Sequence, residues 1–160
     1  MRILFLGLST FIKNKLLGHL RAGDIFSEVA VASKSALPKS YASFPGISQF
    51  YADYEDAIER FSPDIVYISL INSLHTEWIE KSLNHGCHVV IDKPACLSLV
   101  DAKRMLDLAE RNQRCLAEAL VHESHTQIEQ LRNEFIQADI EPHPIVSAFS
   151  FSSFIGDNFR

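Results

Sequence analysis

The sequence predicts a doubly wound α/β domain, in which helices cover both faces of a parallel sheet. Short apolar segments alternate along the chain with longer segments whose apolar residues recur every three or four positions. The first pattern is typical of buried strands and the second of amphipathic helices. Parallel strands require crossover connections, and the helical segments are long enough to supply them. The alternation predicts one sheet domain over residues 1–143.

Composition limits the classes of protein to which this chain can belong. The chain has 160 residues, 47% of them hydrophobic, which is enough for one domain with a sizeable core. The formal net charge is -5 and no basic block is present, which argues against nucleic acid as a partner. No apolar segment has the length of a membrane span, and the N-terminal one is too short for a signal peptide. We therefore expect no membrane partner and a cytoplasmic location.

The cysteines and histidines do not predict a metal site. Cys87, Cys96 and Cys115 are odd in number and show no C-x-x-C spacing, so we expect reduced packing residues. His122 and His125 have helical i, i+3 spacing, but no acidic or cysteine partner lies at a matching interval.

The first elements follow the strand-then-helix order. "RILFLG" predicts a strand closed by glycine, and "TFIKNKLLGHL" predicts a helix with Ile12, Leu16 and Leu20 on one face. "EVAVAS" is the second predicted strand. After a polar segment with two prolines, "DYEDAIERF" predicts a short helix capped by Asp53 and ended by Pro63.

The next elements repeat this order. "IVYISL" predicts a third strand, and "SLHTEWIEKSLNHG" predicts a helix with Ser73 as N-cap and Gly86 as its C-terminal stop. "HVVID" is a further buried strand. "SLVDAKRMLDLAERN" opens with a capping pattern at Ser98 and Asp101. Its predicted apolar face consists of Leu99, Ala102, Leu106 and Ala109.

The C-terminal part of the chain departs from this pattern. "CLAEAL" predicts another strand, and "HTQIEQLRNEFIQ" predicts a helix with Ile128, Leu131 and Phe135 on one face. "VSAFSFSSF" then alternates apolar and small polar residues, as a strand with two different faces does. Such a strand needs a partner sheet, so we expect residues 144–160 to be the linker and first strand of a C-terminal domain that this chain does not contain.

The loop after the first strand is a candidate for binding an anion. In a parallel doubly wound sheet, ligands bind outside the carboxyl ends of the strands. Gly7 permits a tight turn, and the following helix N-terminus, with Ser9, Thr10, Phe11 and Ile12, offers backbone N–H groups and hydroxyls to a diphosphate. The full G-x-G-x-x-G pattern is absent. A plain strand-to-helix turn remains the alternative.

The loop after the second strand reads Ser33, Lys34 and Ser35. A site that prefers NAD usually has an acid here, which accepts a hydrogen bond from the ribose 2′-hydroxyl. A lysine between two serines instead fits the 2′-phosphate of NADP, and a charge-assisted bond of this kind is worth roughly 1.5–3 kcal/mol. The sequence therefore predicts NADP rather than NAD, with a solvated loop lysine as the alternative.

The loop after the third strong strand supplies a third set of candidates. It contains Leu70, Ile71, Asn72 and His75, of which the last two offer amide and imidazole groups at the start of a helix. We expect this loop to lie beside the loop after "HVVI", near the position of a nicotinamide ring.

"DKP", which follows "HVVI", supplies the candidate catalytic residue. Lys93 can pair with Asp92 or hydrogen-bond ribose and substrate oxygens, and Pro94 directs the backbone away from the sheet. A lysine in this position can polarise a carbonyl that accepts hydride. A surface or helix-capping lysine is the alternative.

The segment "VYISLINSLHTEWIEKSLNHGCHVVIDKP" resembles the glucose–fructose oxidoreductase, inositol dehydrogenase and rhizopine-catabolism (Gfo/Idh/MocA) family. Members read approximately V-x-I-A-T-P-N-x-x-H, then a helix ending in A-G-K-H-V, then E-K-P. The positions that match in order and spacing are Asn72, His75, Gly86, His88, Val89, Lys93 and Pro94. The resemblance extends along the whole chain, with "AEALVHESHTQ" similar to the segment ahead of the family's H-P-Q.

The resemblance implies a Rossmann NAD(P)-binding domain of an oxidoreductase that acts on a sugar, cyclitol or nucleotide-sugar hydroxyl or ketone. The family's acid/base residue and most substrate contacts lie in its C-terminal α+β domain, so this chain alone is expected to bind cofactor without turnover. The resemblance also implies a homo-oligomer that assembles through that domain. The sequence departs from the family pattern at three positions: Asp92 stands in place of glutamate, Ile71 in place of proline and Glu123 in place of arginine.

Two other functions share this fold. A non-catalytic regulator of the same family would bind dinucleotide and transfer no hydride. A phosphoacceptor receiver domain is also doubly wound and also ends a strand in Lys-Pro, but it requires acids after the first strand to hold magnesium. Here that position reads "GLST" and contains no acid.

Overall fold

The computed structural model describes residues 1–18, 20, 25–34, 46–120 and 125–138. The chain divides into two compact units, Met1–Ala119 and Leu120–Arg160. The first unit contains the sheet. The described part of the second unit contains helix α4, Thr126–Ala138, which confirms the last predicted helix.

The first unit is an all-parallel six-stranded sheet with the order β3-β2-β1-β4-β5-β6. This order is that of a doubly wound sheet and confirms the predicted fold class. The strands are β1 Arg2–Leu6, β2 Glu28–Ala32, β3 Gln49–Tyr51, β4 Ile65–Ile68, β5 His88–Ile91 and β6 Leu116–Glu118. The helices of this unit are α1 Tyr54–Phe61, α2 His75–Asn84 and α3 Leu99–Arg111.

Strand β1 shows why both faces of the sheet are covered. Its alternate side chains enter two separate hydrophobic clusters, with Leu4 and Leu6 in one and Ile3 and Phe5 in the other. The first cluster includes buried residues of α1, α2 and α3, and the second includes residues of the segment after β1. Because side chains alternate between the faces of a strand, a nearly continuous apolar run requires a partner on each face.

Three of the predicted helix boundaries are confirmed, two by hydrogen bonds and one by backbone conformation. The Asp53 carboxylate accepts from the N–H groups of Glu55 and Asp56 at the start of α1, at 2.8 and 3.0 Å. Ser98 Oγ accepts from Asp101 N–H at 3.0 Å at the start of α3. Gly86 follows the end of α2 with φ +76°, the left-handed conformation that glycine adopts readily.

The predicted N-cap of α2 is wrong. Ser73 lies inside a 3₁₀ turn, Asn72–Leu74, and α2 itself begins at His75. The N–H of Leu74 donates to the Ile71 carbonyl at 2.9 Å. The backbone of this turn therefore satisfies an N–H group for which a side-chain cap would otherwise supply the acceptor.

The predicted apolar face of α3 is also wrong in part. Leu99 and Leu106 are 71% and 56% exposed, whereas Met105 and Ala109 are buried. The helix is rotated relative to the prediction, because it packs mainly against α2 and β6. An apolar stripe in the sequence is therefore a weak indicator of the buried face of this helix, because leucines also occur at exposed positions.

Two elements in the first part of the chain differ from the prediction. The helix after β1 is short, with π-type hydrogen bonding over Ile12–Leu16, and it buries Leu17 beside the predicted Ile12. Strand β3, Gln49–Tyr51, lies in a segment for which the sequence predicted no strand. Three residues at the edge of the sheet are too few to produce a periodic pattern.

The three cysteines are free, and they occupy different environments. Cys87 is buried, and burial raises the pKa of its thiol to about 11. Cys115 is exposed, so the prediction that all three are packing residues is wrong for this one. Cys115 is the last residue of the segment that connects α3 to β6, and its N–H donates to the His88 ring at 3.0 Å.

Two predictions concern residues beyond the sheet. The predicted tail strand and the boundary at residue 144 lie outside the described residues. Among the helices that the structure describes, none combines the length and apolar character needed to cross a membrane.

Candidate functional site

The candidate site lies at the carboxyl edge of the sheet, where the strand order reverses. Strand β1 pairs with β2 on one side and with β4 on the other, so the loops that follow these strands diverge at β1. The crevice outside such a reversal point is the general ligand position in open α/β sheets. Four loops with candidate residues border it, after β1, β2, β4 and β5.

Gly7 sets the close approach between the first of these loops and β4. Its φ is +90°, and a Cβ atom there would lie 2.2 Å from the Ser69 carbonyl oxygen. Its N–H continues the sheet by donating to the Ala32 carbonyl at 2.9 Å. No residue with a side chain fits this position without moving the backbone, which agrees with the tight turn that the sequence predicts here.

The other candidates in the first loop occupy different environments. Ser9 is half-buried, and its Oγ accepts from Ile12 N–H at 3.2 Å. Thr10 and Phe11 are exposed. Ile12 is fully buried in the sheet core, so its side chain is a packing residue and only its backbone belongs to the loop surface.

The loop after β2 places a cation beside the start of α1. Lys34 is exposed, and its Nζ lies 5.2 Å from the centre of the Tyr54 ring. The pKa of Asp53 is lowered, chiefly because its carboxylate accepts a hydrogen bond from Asp56 N–H. Desolvation opposes this shift, whereas the hydrogen bond from Glu55 N–H and the charge of Lys34 add to it.

The two serines beside Lys34 differ in what the structure describes. Ser33 is buried, and its N–H donates to the Tyr51 carbonyl at 2.9 Å. Ser35 lies outside the described residues.

Asp92, at the end of β5, is held by two hydroxyl groups of β4. Tyr67 donates from its hydroxyl to Asp92 Oδ1 at 2.8 Å, and Ser69 Oγ lies 2.6 Å from Asp92 Oδ2. Burial first, and then the hydrogen bond and charge of Asp92, raise the pKa of Tyr67 far above its usual value. Tyr67 therefore keeps its proton at neutral pH and donates it to Asp92.

His75 joins the loops after β4 and β5. Its ring is fully buried, with Nδ1 2.8 Å from the Pro94 carbonyl oxygen and Nε2 3.1 Å from that of Leu70. A carbonyl accepts only, so whichever ring nitrogen carries a proton donates to one of the two loops. His75 contributes to the site through the backbone of these loops rather than through a side chain that reaches a ligand.

Lys93 and Pro94 are exposed at the tip of β5, and the peptide bond between them is cis. The next residue is fixed from β6, because Ala95 N–H donates to Glu118 Oε1 at 2.8 Å. Asn72 is half-buried and Ile71 is 57% exposed in the neighbouring loop. Lys93 is thus exposed, while the backbone on either side of it is hydrogen-bonded to β4 and β6.

Three residues of this edge were not among the sequence candidates: Tyr67, Ser69 and Glu118. Tyr67 and Ser69 lie in the segment "IVYISL", where hydroxyl side chains interrupt an apolar strand. That interruption was the available signal, because buried hydroxyls need partners. Which partner they have depends on strand order and could not be derived from this segment.

These residues fit a dinucleotide. Gly7 forms a turn without a Cβ atom, Lys34 supplies a cation after β2, and Asn72 and Lys93 belong to the loops after β4 and β5. The strand order together with this edge defines the nucleotide-binding domain of a Rossmann-type oxidoreductase.

Comparison with known proteins identifies the family. Residues 1–120 match the model of the Gfo/Idh/MocA oxidoreductase family, NAD-binding Rossmann fold. The chain therefore belongs to the Gfo/Idh/MocA family and contains its NAD(P)-binding domain, as the sequence resemblance predicted. The match covers the whole sheet and all four loops of the edge.

Two curated relatives illustrate the range of the family. The chain is 31% identical over 126 residues to the dTDP-3,4-didehydro-2,6-dideoxy-alpha-D-glucose 3-reductase of Streptomyces violaceoruber. The aligned segment covers 79% of this chain and 37% of that protein. It is 33% identical over 97 residues to the D-xylose 1-dehydrogenase (NADP(+)) 2 of Haloferax volcanii, 60% of this chain and 30% of that protein. The chain thus spans less than half the length of the relatives that it matches.

A solved structure supports the same assignment. A 3-ketoreductase from Actinomadura kijaniata, crystallised in complex with NADP and TDP-benzene, superposes with a TM-score of 0.76 at 26% identity. The superposition covers 86% of this chain and 42% of the ketoreductase. An inositol dehydrogenase from Lactobacillus casei, at 19% identity and a TM-score of 0.72, shares the fold.

Proposed function

We propose that this chain binds NADP(H) at the carboxyl edge of its sheet. We further propose that, joined to a substrate-binding domain, it transfers hydride between the cofactor and a hydroxyl or ketone of a sugar, cyclitol or nucleotide sugar. The observation that carries the proposal is the position of four polar loops around the β1/β4 reversal point, with a cation in the β2 loop and another in the β5 loop.

Each loop has a separate role in this proposal. The backbone after Gly7, from Ser9 to Ile12, and the Thr10 hydroxyl contact the diphosphate. The loop after β2, with Ser33, Lys34 and Ser35, contacts the adenosine ribose and its 2′-phosphate. The loop with Leu70, Ile71 and Asn72 lines the nicotinamide side, and Asp92, Lys93 and Pro94 close it. The bound nicotinamide supplies or accepts the hydride.

Lys93 has the chemistry needed at the reacting end. Its ammonium group can donate hydrogen bonds to the ribose and to the substrate oxygen, whose negative charge grows as hydride arrives at the carbonyl carbon. In the reverse direction the same group stabilises the alkoxide from which hydride departs. His75 Nδ1 lies 2.8 Å from the Pro94 carbonyl oxygen, so the His75 ring helps to position the backbone that follows Lys93.

The preference for NADP over NAD is assigned to Lys34. A phosphate bound by a lysine gains roughly 1.5–3 kcal/mol, which corresponds to about one to two decades in affinity. In this structure no acid directly follows β2, where an NAD-preferring site usually has one. The Haloferax relative carries NADP in its name and the Actinomadura structure contains NADP.

The experiment is a calorimetric titration of this 160-residue chain with NADPH and separately with NADH. We expect NADPH to bind about tenfold or more tightly than NADH, and Lys34→Ala to abolish the difference. Lys103→Ala, which removes an exposed lysine in α3, is the matched control and should keep it.

Three results would change the proposal. Equal binding of the two cofactors would retain the family assignment and remove the NADP preference. Binding of neither would contradict dinucleotide binding by this chain alone. A longer protein that binds the cofactor yet transfers no hydride with any sugar would fit the non-catalytic regulator of the same fold.

Three further properties remain predictions. The relatives named above act on a nucleotide sugar and on xylose by their names, which supports a sugar-like substrate. A cytoplasmic location and a homo-oligomer assembled through a C-terminal domain follow from the sequence and the family resemblance. Sedimentation of the longer protein would test the oligomer.

A further inference from the structure

Four side chains from three neighbouring strands form one continuous hydrogen-bonded chain. Ser9 Oγ, in the loop after β1, lies 2.8 Å from Ser69 Oγ at the end of β4. Ser69 Oγ lies 2.6 Å from Asp92 Oδ2 at the end of β5, and Tyr67 occupies the other carboxylate oxygen at 2.8 Å. We call these four residues, Ser9, Tyr67, Ser69 and Asp92, the hydroxyl chain. It connects the first loop to the residue before Lys93.

The direction of each hydrogen bond follows from the carboxylate at one end. A carboxylate accepts only, and a serine hydroxyl carries one proton. Ser69 therefore donates to Asp92, and Ser9 must donate to Ser69. The Ser9 oxygen is then free to accept from Ile12 N–H, which it does at 3.2 Å. Asp92 thereby sets the orientation of a side chain two strands away.

The central residues of the hydroxyl chain are shielded from water, so water cannot easily replace their hydrogen-bond partners. Tyr67 is 8% and Ser69 is 6% exposed, and the Ser69 carbonyl lies directly against Gly7. Buried hydroxyls without partners cost free energy, and linked hydroxyls in a low-dielectric region strengthen one another. The conformation with all members bonded is therefore favoured over rotated alternatives, and the first loop is held in one position.

We propose that the hydroxyl chain positions the loop after β1 for the diphosphate of the dinucleotide, with Ser69 and Asp92 as positioning residues. In this role the proton of the Ser9 hydroxyl is committed to Ser69, so Ser9 acts on the ligand through the loop backbone. The inference rests on the proposed cofactor site and adds Tyr67 and Ser69 to it. Their contribution is to affinity for the diphosphate and is independent of the Lys34 preference.

The test compares three ligands on the 160-residue chain by NMR titration: NADPH, ADP and adenosine 2′-monophosphate. ADP carries a diphosphate, whereas adenosine 2′-monophosphate carries only the phosphate assigned to Lys34. Ser69→Ala should weaken the binding of NADPH and ADP by about tenfold, because the loop after β1 must then be ordered when the diphosphate binds. It should leave adenosine 2′-monophosphate within about twofold.

Ser82→Ala is the matched control. Ser82 is a fully buried serine in α2 whose hydroxyl has no hydrogen-bond partner among the described residues. Its removal should leave all three affinities unchanged, which separates loss of the hydroxyl chain from loss of any buried hydroxyl.

Ser9→Ala provides a second variant, in a half-buried loop position where misfolding is not expected. It should show the same selective loss of affinity for NADPH and ADP. The double variant Ser9→Ala/Ser69→Ala should lose no more affinity than the weaker-binding single variant, because either substitution interrupts the same hydroxyl chain. Equal weakening of all three ligands, additive losses, or unchanged affinities would overturn the inference. A wild-type chain that binds neither NADPH nor ADP would overturn the cofactor site itself, and the inference with it.

Discussion

Gly7 is the residue at which backbone geometry alone restricts the sequence. Its positive φ disfavours every L side chain, and the Ser69 carbonyl occupies the space of a Cβ atom. Ser69 follows β4 directly and its N–H donates to the Leu6 carbonyl at 2.8 Å, so the backbone that carries this carbonyl is attached to the sheet. Both effects act together on any substitution here.

We expect Gly7→Ala to lower the free energy of unfolding by more than about 2 kcal/mol, because it combines strain at positive φ with a backbone clash. Urea unfolding followed by circular dichroism measures the change. Gly18→Ala is the control, since a Cβ atom there meets nothing within 4 Å. A Gly7→Ala chain as stable as the Gly18→Ala chain would contradict the geometry.

His75 shows how far the sequence alone can predict the role of a single residue. The family-like spacing of Asn72, His75 and Lys93 singled it out as a site residue. Its ring, however, is fully buried, and its two nitrogens lie within hydrogen-bond distance of two backbone carbonyls. The sequence indicated that the residue matters at this edge, whereas its role as a link between loops depends on the pairing of β4 with β5.

Helix α1 is the element whose boundaries the sequence predicted well. Asp53 accepts two N–H bonds at its start, and Ser62, with φ +47°, ends it just before Pro63. Caps depend on residues close in sequence, so local chemistry is sufficient to locate them. The buried face of α3 and strand β3 were harder to predict, because both are fixed by distant neighbours.

The lowered pKa of Asp53 makes the stability of α1 depend on pH. Because the folded state holds the carboxylate form more strongly, the stabilisation is present above the ordinary pKa of 3.8 and is lost as pH falls through the lower folded value. Asp53→Asn keeps a capping oxygen and removes the charge. We expect it to be less stable than wild type at about pH 7, with the difference shrinking toward about pH 3.

Chemical unfolding of both chains at several pH values tests this prediction. Asp107→Asn, at an exposed position in the middle of α3, is the control and should show no such trend. A stability difference between Asp53→Asn and wild type that stays constant down to about pH 3 would show that the charge of Asp53 does not contribute.

At the scale of the whole molecule, the strand order brings Lys93 to the crevice that Gly7 and Lys34 border. These residues are far apart in sequence and come together because parallel strands expose their carboxyl ends at one edge. The hydride transfer proposed above takes place at this edge, and the chain spans less than half the length of the two curated relatives named above.

Lys93→Ala should lower hydride transfer by at least about 100-fold, the usual effect of removing a donor to a developing oxyanion. The assay uses a chimaera in which residues 1–120 replace the NAD-binding domain of the Streptomyces relative, with the unsubstituted chimaera as reference. The binding affinity for NADPH should change far less than turnover. Lys103→Ala should have no effect, and near-normal turnover of the Lys93→Ala chimaera would remove Lys93 from the reaction.

The sequence by itself determined the fold class, most element positions, the family and the loops that carry the candidate residues. These properties depend on periodicity, caps and motif spacing, which act over a few residues. The tertiary structure decided which face of α3 is buried, that β3 extends the sheet, and that Tyr67, Ser69 and Asp92 connect to Ser9. Those contacts join strands that are distant in sequence, and their pairing follows from packing of the whole sheet rather than from any local pattern.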